Sequence, residues 1–176
     1  MPRLFTAIQI SGQVAQILAL KRGKLNAARW IDGRNYHITL SFLGDIGAVE
    51  AEKVADQLAR IQHKPFEICI SGLDIFGSKK PRTLFARVRN DEALANLQAK
   101  NERAMKLAGL TIQARKYVPH VTLARLGHVR PSDVGRFMIQ SGELNPLTFT
   151  ANGFALFSAR NSTGGGPYLV EEEFRF

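Results

Sequence analysis

Leu4, Thr6, Ile8 and Ile10 alternate with Phe5, Ala7 and Gln9, and this period of two predicts a strand over residues 3–10. Ser11 is placed to cap a helix in which Val14, Ile17, Leu18 and Lys21 follow helical spacing, with Gly23 as its stop. Residues 24–34 read as a loop, in which Trp30 is expected to pack as a lid on the core rather than to stack on a base. A second strand is expected over 35–43, with His37, Thr39 and Ser41 on one face and Ile38, Leu40 and Phe42 on the other. Gly44 ends it, and Ala51, Val54, Leu58 and Ile61 mark a second helix. Pro65 resets the chain. Residues 66–76 and 83–88 then read as a hairpin about a basic turn that carries Lys79, Lys80 and Arg82.

The order then returns. Asp91 caps a helix with Leu94, Leu97, Ala104 and Ala108 on one stripe and Gly109 at its end. Strands are expected over 110–115, 118–126, 147–157 and 168–176, and a short helix over 131–139 with Val134, Phe137 and Met138 inward. Residues 161–167, with Gly164-Gly165-Gly166, read as a plain hairpin loop, because the Lys-Ser/Thr ending and following helix of a phosphate-binding loop are missing. Glu171 to Glu173 mark a solvated strand edge. Helices that pack on strands joined largely as hairpins give an α+β fold with largely antiparallel sheets.

One phrase occurs twice. His37-Ile38-Thr39-Leu40-Ser41-Phe42-Leu43-Gly44 returns 83 residues later as His120-Val121-Thr122-Leu123-Ala124-Arg125-Leu126-Gly127, with five of eight positions identical. Two more landmarks keep nearly the same offset: Gly72 and Phe76 match Gly153 and Phe157, and Leu4-Phe5 matches Leu84-Phe85. Three landmarks in one order argue for an internal duplication, with halves of roughly 1–80 and 81–176 forming a single two-lobed domain over 1–176. A pseudo-two-fold axis would bring the two histidines face to face.

Charge changes the picture more than composition does. The formal net charge is +9, and Lys21, Arg22, Lys24, Arg29 and Arg34 lead into the first phrase, as Arg115 and Lys116 lead into the second. A polyanionic partner is expected, nucleic acid ahead of membrane. Cys69 is the only cysteine, which excludes an intrachain disulfide and disfavours a thiolate metal site. The opening apolar run is too short for a secretory signal, and no run has the length of a membrane span, so a cytoplasmic chain is expected.

The polar faces of the two phrases carry the candidate chemistry. Histidine titrates near neutrality and can take or give a proton in a transition state. Each Thr hydroxyl, two residues on, points the same way and can bond a phosphoryl oxygen. Two His and two Thr around one cavity suit in-line displacement at a phosphodiester. One imidazole activates the nucleophile, the other protonates the departing oxygen, and no metal is required. The competing readings are satisfied strand residues and a two-histidine metal site, the latter without a carboxylate companion near either phrase. His63 and His128 lack the Thr partner and are expected to be ordinary surface residues.

In this setting the paired His-x-Thr strands resemble the two-histidine phosphoesterases, and within them the RNA 2′,3′-cyclic phosphodiesterases, also described as 2′-5′ RNA ligases. Leu4-Phe5-Thr6-Ala7-Ile8, Trp30, Phe42-Leu43-Gly44 and Pro119-His120-Val121-Thr122-Leu123-Ala124-Arg125 extend the resemblance along essentially the whole chain. It implies a bilobal, pseudo-symmetric fold with about two helices on each lobe and the active site in the groove between them. It implies hydrolysis of an RNA 2′,3′-cyclic phosphate end, such as that of a tRNA fragment, to a 2′-phosphate, with 2′-5′ ligation as a related reaction. His37 would then protonate O3′ and His120 would activate water, roles that internal symmetry does not assign. Thr39 and Thr122 carry over as phosphate ligands, and Arg125 as a third. Strand parity puts Arg125 on the face opposite His120, where a bend would be needed to return it. No cofactor, metal, membrane or obligate protein partner is implied. An RNA-end binding module without turnover and a phosphodiesterase for a small cyclic nucleotide are the alternatives.

Overall fold

The computed structural model describes residues 3–113, 115–159 and 165–176. Its strands are β1 (Arg3–Gln9), β2 (Ala28–Trp30), β3 (His37–Asp45), β4 (Phe66–Phe76), β5 (Thr83–Val88), β6 (His120–Leu126), β7 (Leu147–Ala151), β8 (Gly153–Ser158) and β9 (Leu169–Arg175). Its helices are α1 (Gly12–Ala19), α2 (Ala48–Leu58), α3 (Glu92–Leu107) and α4 (Pro131–Ser141). The strands lie in the order β7-β4-β5-β6-β3-β1-β8-β9, all neighbours antiparallel, with β2 added to β6. The α+β expectation therefore holds.

The order is symmetric about the β6–β3 junction, where Ile38 pairs with Val121. On either side lie the strand that precedes each phrase, β5 or β1, and then the strand of the Gly…Phe landmark, β4 or β8. The spatial groups interlock. β4 comes from the first half of the chain and pairs with β5, whereas β8 comes from the second half and pairs with β1. This exchange explains why residues 147–157 are not one strand. β7 pairs with β4, and after Asn152 the chain enters β8 on the far group. Gly153 is needed at that crossing, because a Cβ there would collide with the Phe174 carbonyl oxygen.

One face of the sheet forms the main core. Val14 and Leu18 of α1, Val54 and Leu58 of α2, and Leu94, Leu97 and Met105 of α3 pack with Ile8, Ile38, Leu40, Ile68, Val121 and Leu123. Each fully buried Leu or Ile contributes about 1.5–3 kcal/mol. The apolar residues of the repeated phrase thus anchor both strands and leave the opposite face free. Helix α4 closes a smaller cluster of Leu84, Ala124, Leu126, Val134 and Phe137.

Several local expectations are corrected. Helix α1 ends at Ala19, before Gly23, and Gly23 instead lies under the Phe137 ring, which a Cβ would approach to 2.8 Å. The loop over 24–34 contains β2, held on β6 through Ala28, Arg29 and Trp30. Trp30 packs toward Phe137 with ring centroids 5.7 Å apart, as a lid does. Residues 110–113 and 115 form no strand. His63 is not an ordinary surface residue. Its Nε2 lies 3.1 Å from the Ala93 carbonyl oxygen, and its ring packs on Phe66 and on Phe176. The loop expected over 161–167 lies in part outside the described residues. No helix among the described residues is long and apolar enough to cross a membrane.

Candidate active site

The Ile38–Val121 pair fixes the geometry of the face away from the core. Its antiparallel register sets His37 across from Thr122 and Thr39 across from His120. Cross-strand neighbours of this kind have Cβ atoms about 5 Å apart. The four polar residues that the sequence singles out thus occupy one patch about the pseudo-two-fold axis.

Each strand then breaks step at the same place. β3 pairs Ala7 with Thr39 but Thr6 with Ser41, which leaves Leu40 as an extra residue. β6 pairs Phe85 with Thr122 but Leu84 with Ala124, which leaves Leu123 as an extra residue. A bulge reverses the alternation beyond it. Ser41 is therefore buried, contrary to the expected parity, and Phe42 is turned out and is 66% exposed. In β6 the same step carries Arg125 to the His120 face, where it lies across from Thr83 and its Nη1 donates to Thr83 Oγ1 at 3.3 Å. The parity objection to Arg125 is removed by the bulge. Ala124 is buried where Ser41 is buried, so the two strands share one burial pattern as far as Arg125.

Both rings are set by the same backbone device. His37 Nδ1 lies 2.7 Å from the Asn35 carbonyl oxygen, and His120 Nδ1 lies 2.8 Å from that of Val118. A carbonyl only accepts, so each Nδ1 carries the proton. In the neutral ring Nε2 is then a free lone pair. Tyr117 Oη donates to the Thr39 carbonyl oxygen at 3.2 Å beside the bulge.

Aromatic side chains wall the rings, and here too the halves match. His37 packs on Phe5 and Phe157, with centroids at 5.0 and 6.2 Å. His120 packs on Phe85 and Phe76, at 5.2 and 4.9 Å. The landmarks that mark the duplication along the sequence are thus the walls of the site. Tyr168 adds a third ring against His37 alone, edge-on at 5.2 Å.

Burial is the main reason that neither ring holds a second proton readily. It pushes His37 down to about 4, against the Nδ1 bond to Asn35 and with help from the charges of His120 and Arg125. Burial also lowers His120, against its bond to Val118 and again with help from Arg125. Arg125 thus lies close enough to act on both imidazoles. Among the described residues, no group of three or more His, Cys, Asp or Glu is placed to hold a metal ion.

The sequence profile of the 2′-5′ RNA ligase superfamily matches residues 11–163. The chain belongs to this superfamily. Among curated proteins, superfamily relatives include the RNA 2′,3′-cyclic phosphodiesterase of Bacillus subtilis, 30% identical over 89% of this chain and 87% of that one. That of Aquifex aeolicus is 31% identical over 83% and 80%. Among solved structures, TT0787 of Thermus thermophilus superposes with a TM-score of 0.79 at 22% identity, covering 98% of this chain and 97% of that one. E. coli LigT complexed with 3′-AMP gives 0.79 at 19% identity, covering 100% and 99%. These structural likenesses carry the fold of the superfamily onto the whole chain.

Sequence reasoning missed three parts of this candidate site. The Phe pairs were legible as repeats but not as ring walls. Tyr168 has no counterpart in the other half and so gives no repeat signal. The bulges leave one trace, a small residue after each Leu (Ser41 and Ala124) where alternation calls for the solvent face.

Proposed function

We propose that this protein hydrolyses the 2′,3′-cyclic phosphate end of RNA to a 2′-phosphate. The observation that carries the reading is the gathering of His37, Thr39, His120, Thr122 and Arg125 on one sheet face. The relatives named RNA 2′,3′-cyclic phosphodiesterase support the activity, and the net charge of +9 supports a polyanionic substrate.

The cyclic phosphate sits between the two Nε2 atoms, with the Thr39 and Thr122 hydroxyls and the Arg125 guanidinium on its non-bridging oxygens. His120, neutral at rest, takes the proton of the attacking water. His37 delivers a proton to O3′ as the P–O3′ bond breaks. The chemistry therefore needs one protonated imidazole, whereas burial disfavours the protonation of both. The phosphodiester anion offsets this, because a negative group beside a buried imidazole raises its affinity for a proton. Phe42, turned outward by the bulge, offers an apolar face to the terminal base. With an RNA 5′-hydroxyl in place of water, the same steps join two RNAs through a 2′-5′ bond.

The test is incubation with an RNA that ends in a 2′,3′-cyclic phosphate, in the presence of a chelator, followed by identification of the phosphomonoester. A 2′-phosphate is expected. A 3′-phosphate, a strict metal requirement, or binding without turnover would overturn the reading. Turnover of a small cyclic nucleotide with no turnover of RNA would reassign the substrate.

A further inference from the structure

Strand β2 brings a second arginine to the site. Its register on β6 sets Arg29 across from Arg125, with Ala28 across from Leu126 and Trp30 across from Ala124. Cross-strand partners share a face of the sheet, with Cβ atoms about 5 Å apart. Ala28 and Trp30 pack on the cluster that α4 closes. Alternation puts Arg29, between them, on the groove face with Arg125, and it is exposed. Backbone bonds fix this register. Ile31 N donates to the Leu123 carbonyl oxygen at 2.8 Å, and Gly127 N donates to that of Ala27 at 3.0 Å. Ala27, at the entry to β2, has a φ of 60° and is the only residue other than glycine with a positive φ among the described residues. Such strain persists where the surroundings over-determine it, and it gathers at ligand sites.

The order along β6 gives the arginine pair a direction. His120 lies across from Thr39, Thr122 across from His37, and Arg125 across from Arg29. The pair therefore stands beyond His37, at the end of the site away from His120. Phe42 holds the opposite end, beyond Thr39 on β3. In the proposed step O3′ faces His37. A ribose with a 2′,3′-cyclic phosphate carries its base on C1′, next to C2′, and its 5′ oxygen on C5′, reached from C3′ through C4′. With O3′ toward His37, the 5′ arm runs toward Arg29 and the base toward Phe42.

We infer that Arg29 binds the phosphate on the 5′ side of the terminal nucleoside, and so distinguishes an RNA end from a cyclic nucleotide that lacks this phosphate. The inference rests on the proposed function and on His37 as its acid. Arg125 takes the cyclic phosphate, and Arg29, one strand away, meets the next phosphate of the same RNA. A guanidinium suits that group, because its N–H fork bonds two phosphate oxygens at once.

The experiment measures kcat/KM for three substrates: adenosine 2′,3′-cyclic phosphate, the same nucleotide with an added 5′-phosphate, and a dinucleotide that ends in a cyclic phosphate. The unaltered protein is expected to favour the two substrates with a 5′-side phosphate by about tenfold or more, the effect of one charged hydrogen bond. Arg29→Gln should remove this preference and leave the rate on the first substrate within about twofold. It should also lower the salt dependence on the dinucleotide by about one phosphate contact. Arg29→Lys should restore part of the preference. Absence of preference in the unaltered protein overturns the inference, as does a preference that survives in Arg29→Gln. An equal fall on all three substrates overturns it too, and assigns Arg29 to the cyclic phosphate. Hydrolysis of none of the three by the unaltered protein overturns the proposed function itself.

Discussion

The His37 and His120 halves share a backbone and differ in what covers it. Each has a His-x-Thr strand, a bulge at the following Leu, a carbonyl holding Nδ1, and two Phe walls. Two positions after the extra residue of each bulge the halves part: Phe42 stands where Arg125 stands in the other. Tyr168 covers only His37, which lines a cleft of about 310 Å³, whereas His120 lines one of about 700 Å³ that also takes in Thr39 to Gly44 of β3. The repeated strands supply a symmetric frame for the two imidazoles. The differences give each its own surroundings, as the proposed division into acid and base requires.

The largest expected effect tests whether both halves are needed. His37→Ala and His120→Ala should each lower the rate of cyclic phosphate hydrolysis by about 10²–10⁴-fold, as measured by single-turnover kinetics, with the fold retained by circular dichroism. Substantial activity in both variants would remove the paired chemistry. Thr39→Ala and Thr122→Ala should do less, because each removes one hydrogen bond.

Next comes the position at which the halves part. Arg125→Ala should lower kcat/KM by roughly 10–100-fold, corresponding to about 1.5–3 kcal/mol for a lost charged hydrogen bond. Both histidine pKa values should rise, because Arg125 opposes the protonation of each. Phe42→Ala should weaken substrate binding with little change in either pKa. A variant pair with the reverse pattern would break the comparison.

The cover on His37 is tested by pH. The unfolded chain takes up this proton near pH 6.5, and the folded chain only near 4. Between these values the unfolded state binds more protons, so stability falls as pH falls through that window. The loss should be on the order of 3 kcal/mol, and His37→Gln should remove most of it in urea melts run across the window. Tyr168→Ala should raise the His37 pKa toward 6.5 and leave His120 nearly unmoved.

The smallest effects lie in the helices that follow β1 and β5. Asp91 Oδ1 accepts from Leu94 N at 3.0 Å, and Ser11 Oγ accepts from Val14 N at 3.4 Å. Asp91→Ala should cost about 1 kcal/mol and Ser11→Ala less, by denaturant unfolding.

Much of this was legible in the chain because it rests on local periodicity. Ile38, Leu40, Val121 and Leu123 alternate with His and Thr, so core side and groove side separate without knowledge of the partner strands. The Ser11 and Asp91 caps and the α3 stripe are equally local. What failed depends on partners distant in sequence. The bulges at Leu40 and Leu123 exist only against β1 and β5. The split at Asn152 follows from which strands β7 and β8 join. The site residues named from the phrase share one face, but the rings around them come from β1, β4, β5, β8 and the approach to β9.

The proposed chemistry requires that the two imidazoles serve one phosphate. Nuclear magnetic resonance titration of both rings, free and with a nucleoside 2′-phosphate, tests it most directly. Both should titrate below 6.5 in the free protein, and the ligand should shift the resonances of both and raise at least one pKa. A ligand that moves one ring and leaves the other untouched would mean that the imidazoles do not share a phosphate.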